Sequence, residues 1–118
     1  MASAALFIGW GPPARGRERQ SYQVFGEAVQ YWTGLQQHGE IESFETVQLE
    51  PHGGELQGFA LLRGDRDKLN RMRDSEEFLR LVARATFTVE PIGVVGAYIG
   101  EGVQRLFANT QTSTADLG

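Results

Sequence analysis

Apolar residues recur along the chain with two different periods, and the changes of period mark out elements in the order β-α-β-β-α-β. From Ala4 to Trp10, Leu6, Ile8 and Trp10 share one face and Ala5, Phe7 and Gly9 the other. Both faces are largely apolar, as in a central strand covered on both sides. Gly11-Pro12-Pro13-Ala14-Arg15-Gly16 is a loop, because its prolines lack donors and its glycines lack restraint. From Glu18 to His38, the residues Tyr22, Phe25, Val29 and Trp32 recur at helical spacing, with Ala28 and Leu35 widening the stripe, which predicts an amphipathic helix on the sheet. Gly39 follows as its C-terminal cap. Between Ile41 and Arg63, two alternating runs (Ile41, Phe44, Val47, Leu49, then Leu56, Phe59, Leu61) flank Pro51-His52-Gly53-Gly54, and this predicts a hairpin.

The second half reads less cleanly. Gly64-Asp65 opens a helical region through Leu69 and Met72, and Asp74 with Glu77 three residues later predicts a restart with Phe78, Leu81, Val82 and Ala85 as its buried stripe. Phe87 and Val89 alternate with threonines, Pro91 interrupts, and Val94 to Ile99 is a further apolar run, so the closing strand is expected in two pieces. Gly102 to Ala108 predicts a short terminal helix with Val103, Leu106 and Phe107 on its apolar side. Residues 1–108 are therefore expected to form one domain, and the small, polar residues 109–118 a disordered tail.

Composition narrows the function. A chain of 118 residues fits one domain with a modest core. Its 11 basic and 15 acidic residues give a net charge of −4, so no overall positive field draws it to phosphate backbones or anionic lipid. With no cysteine, thiolate nucleophiles and sulfur-based zinc sites are excluded. The short apolar run at the start lacks the basic flank and the length of a signal peptide or membrane span, and a cytoplasmic protein is expected.

Candidate chemistry is sparse. Gly9-Trp10-Gly11-Pro12-Pro13-Ala14 has the G-x-G-x-x-A spacing of a dinucleotide-binding turn, but the following strands form a hairpin in place of a parallel crossover, and two prolines remove donors. His38 and His52 lie at opposite ends of the second strand, roughly 30 Å apart at strand rise, so they cannot share a metal within one subunit. The carboxylates Glu40, Glu42, Glu45, Glu50 and Glu55 read as a solvated face. Arg17, with Arg15, Glu18 and Arg19 at the start of the first helix, is a candidate anion contact. Trp10, Phe25, Trp32 and Tyr98 are candidates to line a pocket between sheet and helices, where aromatic side chains supply area and polar edges orient a ligand.

The whole order, with its long first helix and apolar outer sheet face, resembles the dimeric α+β barrel superfamily of ferredoxin-like proteins. The resemblance covers most of Ala4 to Ile99 and is topological. It implies an α+β sandwich with an antiparallel sheet and two helices on one face, two such sheets packing face to face in a homodimer, and a small-molecule cavity between each sheet and its helices. Members include cofactor-independent monooxygenases, small isomerases and haem enzymes. On this chain it would place Phe7, Phe59 and Leu61 in the dimer interface and Trp10 and Trp32 facing the cavity. Neither histidine lies in the helix interior that would face a haem, and no cofactor or metal is expected.

A second, local resemblance is to RNA-recognition modules. Leu6-Phe7-Ile8-Gly9 is similar to their first-strand motif, Gln57-Gly58-Phe59-Ala60 to part of their third-strand motif, and His38-Gly39-Glu40-Ile41 to the phrase before their second strand. Phe7 and Phe59 match the base-stacking aromatics. Gln57 replaces the expected basic residue and Leu61 the second aromatic, which disfavours nucleic acid as partner. Three functional readings follow from the residues: an apolar small molecule bound or transformed by contacts from Trp10, Arg17, Phe25 and Trp32, an RNA-binding module, and a structural or interaction protein without a ligand.

Overall fold

The computed structural model describes residues 2–118. Its elements are β1 (Ala4–Trp10), α1 (Glu18–Gln37), β2 (Ser43–Gln48), β3 (Gly58–Gly64), α2 (Arg66–Arg73), α3 (Glu76–Thr86), β4 (Ile92–Tyr98) and α4 (Glu101–Thr114), followed by a final 3-10 turn at Ala115–Leu117. Among the described residues the strands form one four-stranded sheet in the order β2-β3-β1-β4, antiparallel throughout. This is the antiparallel α+β arrangement that the resemblance to ferredoxin-like proteins implies. No helix among the described residues is long and apolar enough to cross a membrane.

The register fixes which residues share a face. Leu6 lies opposite Leu62 and Gly96, and Ile8 opposite Ala60 and Val94, so these side chains form the helix-facing side. Ala4, Leu6, Ile8, Ala60 and Leu62 are buried there with Trp32, Ile41, Leu69, Met72 and Phe78. Phe7 pairs with Leu61 and Val95 on the opposite, outer side. That alternation is the period-two rule at work in a strand with apolar residues at nearly every position.

Helix ends follow their local chemistry. Asp65 accepts from the Lys68 amide at 3.1 Å and so caps α2. Gly39, at φ 74°, terminates α1, with its amide donating to Gln36 O and the Glu40 amide to Leu35 O. The cap of α3 is Ser75, whose hydroxyl accepts from the Phe78 amide at 3.2 Å, whereas Asp74 closes α2. The expected restart is therefore displaced by one residue, because the Ser75 hydroxyl already meets the Phe78 amide in the first turn of α3.

Three expectations are corrected. Phe87 and Val89 do not begin a strand: Phe87 ends α3, the Thr88 and Val89 amides both donate to Ala85 O at 2.9 Å, and Val89 makes only an isolated bridge to Pro13. The threonines that mimic alternation bond backwards instead, Thr86 Oγ1 to Ala83 O at 2.7 Å and Thr88 Oγ1 to Ala85 O at 3.1 Å. The hairpin is tied across a longer loop than its four turn residues suggest, since β2 ends at Gln48 and β3 begins at Gly58. Finally, the stretch from Asn109 is not a structureless tail, because α4 continues to Thr114. Its hydroxyls are satisfied within the helix, Thr110 Oγ1 on Leu106 O at 2.9 Å and Thr114 Oγ1 on Thr110 O at 2.8 Å.

Helices α1 and α3 are joined by a forked ion pair. Arg84 Nε donates to Glu27 Oε1 at 2.8 Å and Arg84 Nη2 to Glu27 Oε2 at 2.7 Å. These bonds hold the Glu27 carboxyl below its ordinary value near 4.5 and push the Arg84 guanidinium up.

Two measurements test this account. Leu62 is fully buried; Leu62→Ala should lower unfolding free energy by about 2–5 kcal/mol in chemical denaturation. The depressed Glu27 value means that the pair's contribution is present above the unfolded carboxylate value and is lost as pH falls through the folded one. The stability gap between the wild type and Glu27→Gln should thus be open at neutral pH and close on acidification through that range, and a gap that stays constant would show that the pair does not stabilise the fold.

A cavity between the sheet and the helices

The helix-facing side of the sheet is packed at one end and open at the other. Near Ala4 and Leu62 it is covered by Leu69 and Met72 of α2. Toward Trp10 and Ile92 the layers enclose a cavity of about 600 Å³. Ile8 and Trp10 of β1, Ile92 of β4 and Thr46 and Gln48 of β2 form its floor, while α1 and α3 form its walls. Small residues on those walls, Ser21 and Ala28 on α1 and Ala85 on α3, leave the volume unfilled. An opening of this size, mostly apolar and flanked by a few polar groups, has the dimensions of a ligand site.

The aromatic side chains are held from behind. Trp10 packs edge-on to Phe25 with ring centroids 5.6 Å apart, and Trp32 packs at a tilt on Phe44 at 5.8 Å. Gly58 is required beneath Trp10, since a Cβ there would lie 2.9 Å from Trp10 Cζ2. Gly11 is required at the rim, where a Cβ would come within 2.2 Å of the Glu90 carbonyl oxygen. Trp32 is 4% exposed, and its Nε1–H has no hydrogen-bond partner among the described residues.

The other buried polar groups of the lining are satisfied. Ser21 Oγ donates to Glu18 O at 2.6 Å and Thr88 Oγ1 to Ala85 O. Among the described residues that line the cavity there is no Asp, Glu, Lys, Arg or His. Tyr31, whose hydroxyl is pushed up by burial despite its contact with Ser75 Oγ at 3.4 Å, is outside the lining.

Of the residues singled out in the sequence, the structure brings Trp10, Phe25 and Trp32 to one cavity. Arg17 is not among its lining residues; the guanidinium lies 4.4 Å from the centroid of the exposed Phe87 ring. The expected anion position at the start of α1 is taken by Glu18, whose carboxylate accepts from the Gly16 amide at 3.2 Å. Tyr98 is also elsewhere, at the far end of β4 with Arg66 over its ring at 4.8 Å. The dinucleotide-like turn has spent its donors, because the Gly11 amide bonds Pro91 O at 2.7 Å and the Ala14 amide bonds Thr88 O at 2.8 Å. Ser21, Ala28, Thr88 and Gln57 were missed. Ser21 and Ala28 fall on the same helical stripe as Phe25 and Trp32, and small residues on an otherwise aromatic stripe are the signal that could have found them.

His52 is a turn clamp. Its Nδ1 accepts from the Gly54 amide at 3.2 Å, which leaves the proton on Nε2 to donate to Leu56 O at 2.7 Å. No group of three or more His, Asp or Glu side chains suited to a metal ion is found among the described residues.

On the outer face Phe7 and Phe59 stack with centroids 5.1 Å apart, and Leu61 and Val95 extend the apolar stripe. Val95 is 55% exposed in the isolated chain. The Arg63–Glu45 ion pair borders the stripe.

No protein-family model matches the sequence, and no curated protein sequence matches it. Solved structures do. A DABB-family protein with a ferredoxin-like fold from Mesorhizobium loti superposes with a TM-score of 0.63 at 12% identity, covering 83% of this chain and 98% of that one. A dimeric protein of unknown function and ferredoxin-like fold from Bacteroides fragilis gives 0.56 at 13%, covering 81% and 96%. SnoaB, a cofactor-independent oxygenase from Streptomyces nogalater, gives 0.55 at 12%, covering 84% and 95%. Likeness at this level of identity is a likeness of fold alone, and the fold of this chain is ferredoxin-like.

Proposed function

We propose that the protein binds an uncharged, apolar small molecule in the cavity between sheet and helices, and that it does so as a homodimer joined through the outer sheet face. The observation that carries the first part is the cavity itself, about 600 Å³ bounded by Trp10, Phe25 and Trp32 and free of charged side chains among the described lining residues. An ion placed there would lose its hydration without gaining a counter-charge, so a neutral molecule is the favoured occupant. Isomerisation by proton transfer would need an acid or base within hydrogen-bond reach, and among the described lining residues the exposed Tyr22 is the one titratable group. The cofactor-independent oxygenase among the structural neighbours makes oxidation of the bound molecule the first reaction to assay.

The homodimer rests on the outer face. An apolar stripe of Phe7, Phe59, Leu61 and Val95 with a polar border has the layout of an interface core and rim. The Bacteroides fragilis neighbour is described as dimeric. Phe7 and Phe59 stack on each other, which reduces the ring surface offered to a nucleobase and favours a second sheet as the covering partner over RNA.

Nile red, a neutral and environment-sensitive dye, should bind with a blue-shifted, enhanced emission. Ala28→Phe, which fills the cavity from α1, should weaken that binding by about tenfold or more while leaving the circular dichroism spectrum unchanged. Absence of dye binding to the wild type would sink the small-molecule reading. Light scattering should give twice the mass of the chain, and Leu61→Glu should halve it; a wild-type monomer that stays soluble would remove the interface.

A further inference from the structure

We infer that the molecule held in this cavity carries a hydrogen-bond acceptor, such as a carbonyl or ether oxygen, and that Trp32 Nε1–H is the donor that receives it. The inference rests on the cavity being a ligand site, as proposed above, and adds the chemistry by which that site orients its occupant. An indole N–H can only donate, and a donor buried away from water is almost always paired. Trp32 is 4% exposed, lines the cavity, and is the one residue whose buried side-chain polar atom lacks a partner among the described residues.

Among the described residues the neighbourhood offers it no partner. Trp32 lies among Ile8, Phe44 and Phe78, whose side chains contain no acceptor. Ser21 Oγ, Thr88 Oγ1 and Gln57 Nε2 donate to the carbonyls of Glu18, Ala85 and Gly54, and the oxygen acceptors that these side chains keep do not come within hydrogen-bond reach of the indole N–H. A neutral ligand with an acceptor removes the unmet valence at no cost in charge burial. A pure hydrocarbon would fill the same volume and leave the indole unpaired, so the cavity should discriminate between the two.

Fluorene and fluorenone test this, being flat tricyclic molecules of nearly equal size that differ by one carbonyl. Fluorenone should bind about tenfold more tightly than fluorene, the increment of one buried hydrogen bond. The chain has two tryptophans, so nitrogen-15 NMR of the indole groups shows two signals that Trp32→Phe assigns. The Trp32 signal should move downfield with fluorenone only, and Trp32→Phe should bind both molecules with equal affinity. Equal affinities in the wild type, a preference that survives in Trp32→Phe, or a shift confined to Trp10 would each overturn the inference while leaving the cavity reading intact. Failure of both molecules to bind would overturn the cavity reading and the inference together. Should Trp32→Phe not fold, Trp10→Phe assigns the two indole signals by difference, and the wild-type affinity ratio and the downfield shift then decide the matter.

Discussion

The molecule depends on β1 lying between β3 and β4 with apolar residues on both of its faces. A central strand cannot choose which side to bury, so each side must be covered by something. On one side the chain supplies the cover itself, through Leu69 and Met72 of α2 and the apolar stripes of α1 and α3. On the other it leaves Phe7 with Phe59, Leu61 and Val95 as an apolar stripe, the face through which a homodimer is proposed. A period of two makes these two sets mutually exclusive: sliding β1 by a single residue would exchange Leu6 and Ile8 for Phe7 and Gly9 and ruin both layers at once.

The covering on the helix side is uneven, and the cavity is the result. Helix α2 is only 8 residues long and reaches the end of the sheet at Ala4 and Leu62. Beyond it α1 and α3 contact each other and are fastened by the Glu27–Arg84 fork. Where two helices brace one another above a sheet, small residues facing inward need not cause collapse. Ser21, Ala28 and Ala85 can then line a space that, in a core held only by side-chain packing, the surrounding structure would tend to close.

Much of this architecture was legible as periodicity. The strand Ala4–Trp10, the stripe of α1 and the hairpin partners follow from which residues must share a face, and Trp10, Phe25 and Trp32 reach the cavity because they lie on the inward stripes. What periodicity lacks is distance. It assigned Trp32 to the interior but could not say whether another side chain would meet its N–H, because that depends on how far α1 stands from the sheet. Arg17 lies outside the lining for a related reason: a long side chain at a helix start can turn either way, and the exposed Phe87 ring was available outside. The stretch after Ala108 misled because polar composition argues for disorder only when hydroxyls need solvent, and Thr110 and Thr114 satisfy theirs on the helix backbone. Phe87 and Val89 misled because threonines at every second position imitate a strand while their hydroxyls serve to end a helix.

The two sides of the sheet are not independent, and the loop between β2 and β3 is where they meet. Leu56 reaches the outer side, where its Cδ1 lies 3.0 Å from the position a Gly9 Cβ would take, and the next residue, Gln57, lines the cavity. His52 fixes the loop from within by its bonds to Gly54 and Leu56, and the Gln57 amide donates to Trp10 O at 2.8 Å. The loop is thereby tied both to the strand that carries the outer apolar stripe and to the tryptophan at the cavity floor. Gly9 is what permits this arrangement, since a side chain there would press on Phe7 and Leu56 together, with Phe7 Cε1 only 2.8 Å from its Cβ position. A residue first conspicuous as part of a nucleotide-binding pattern thus has a packing role: its bare backbone lets the outer stripe, the loop and the cavity floor converge on one strand.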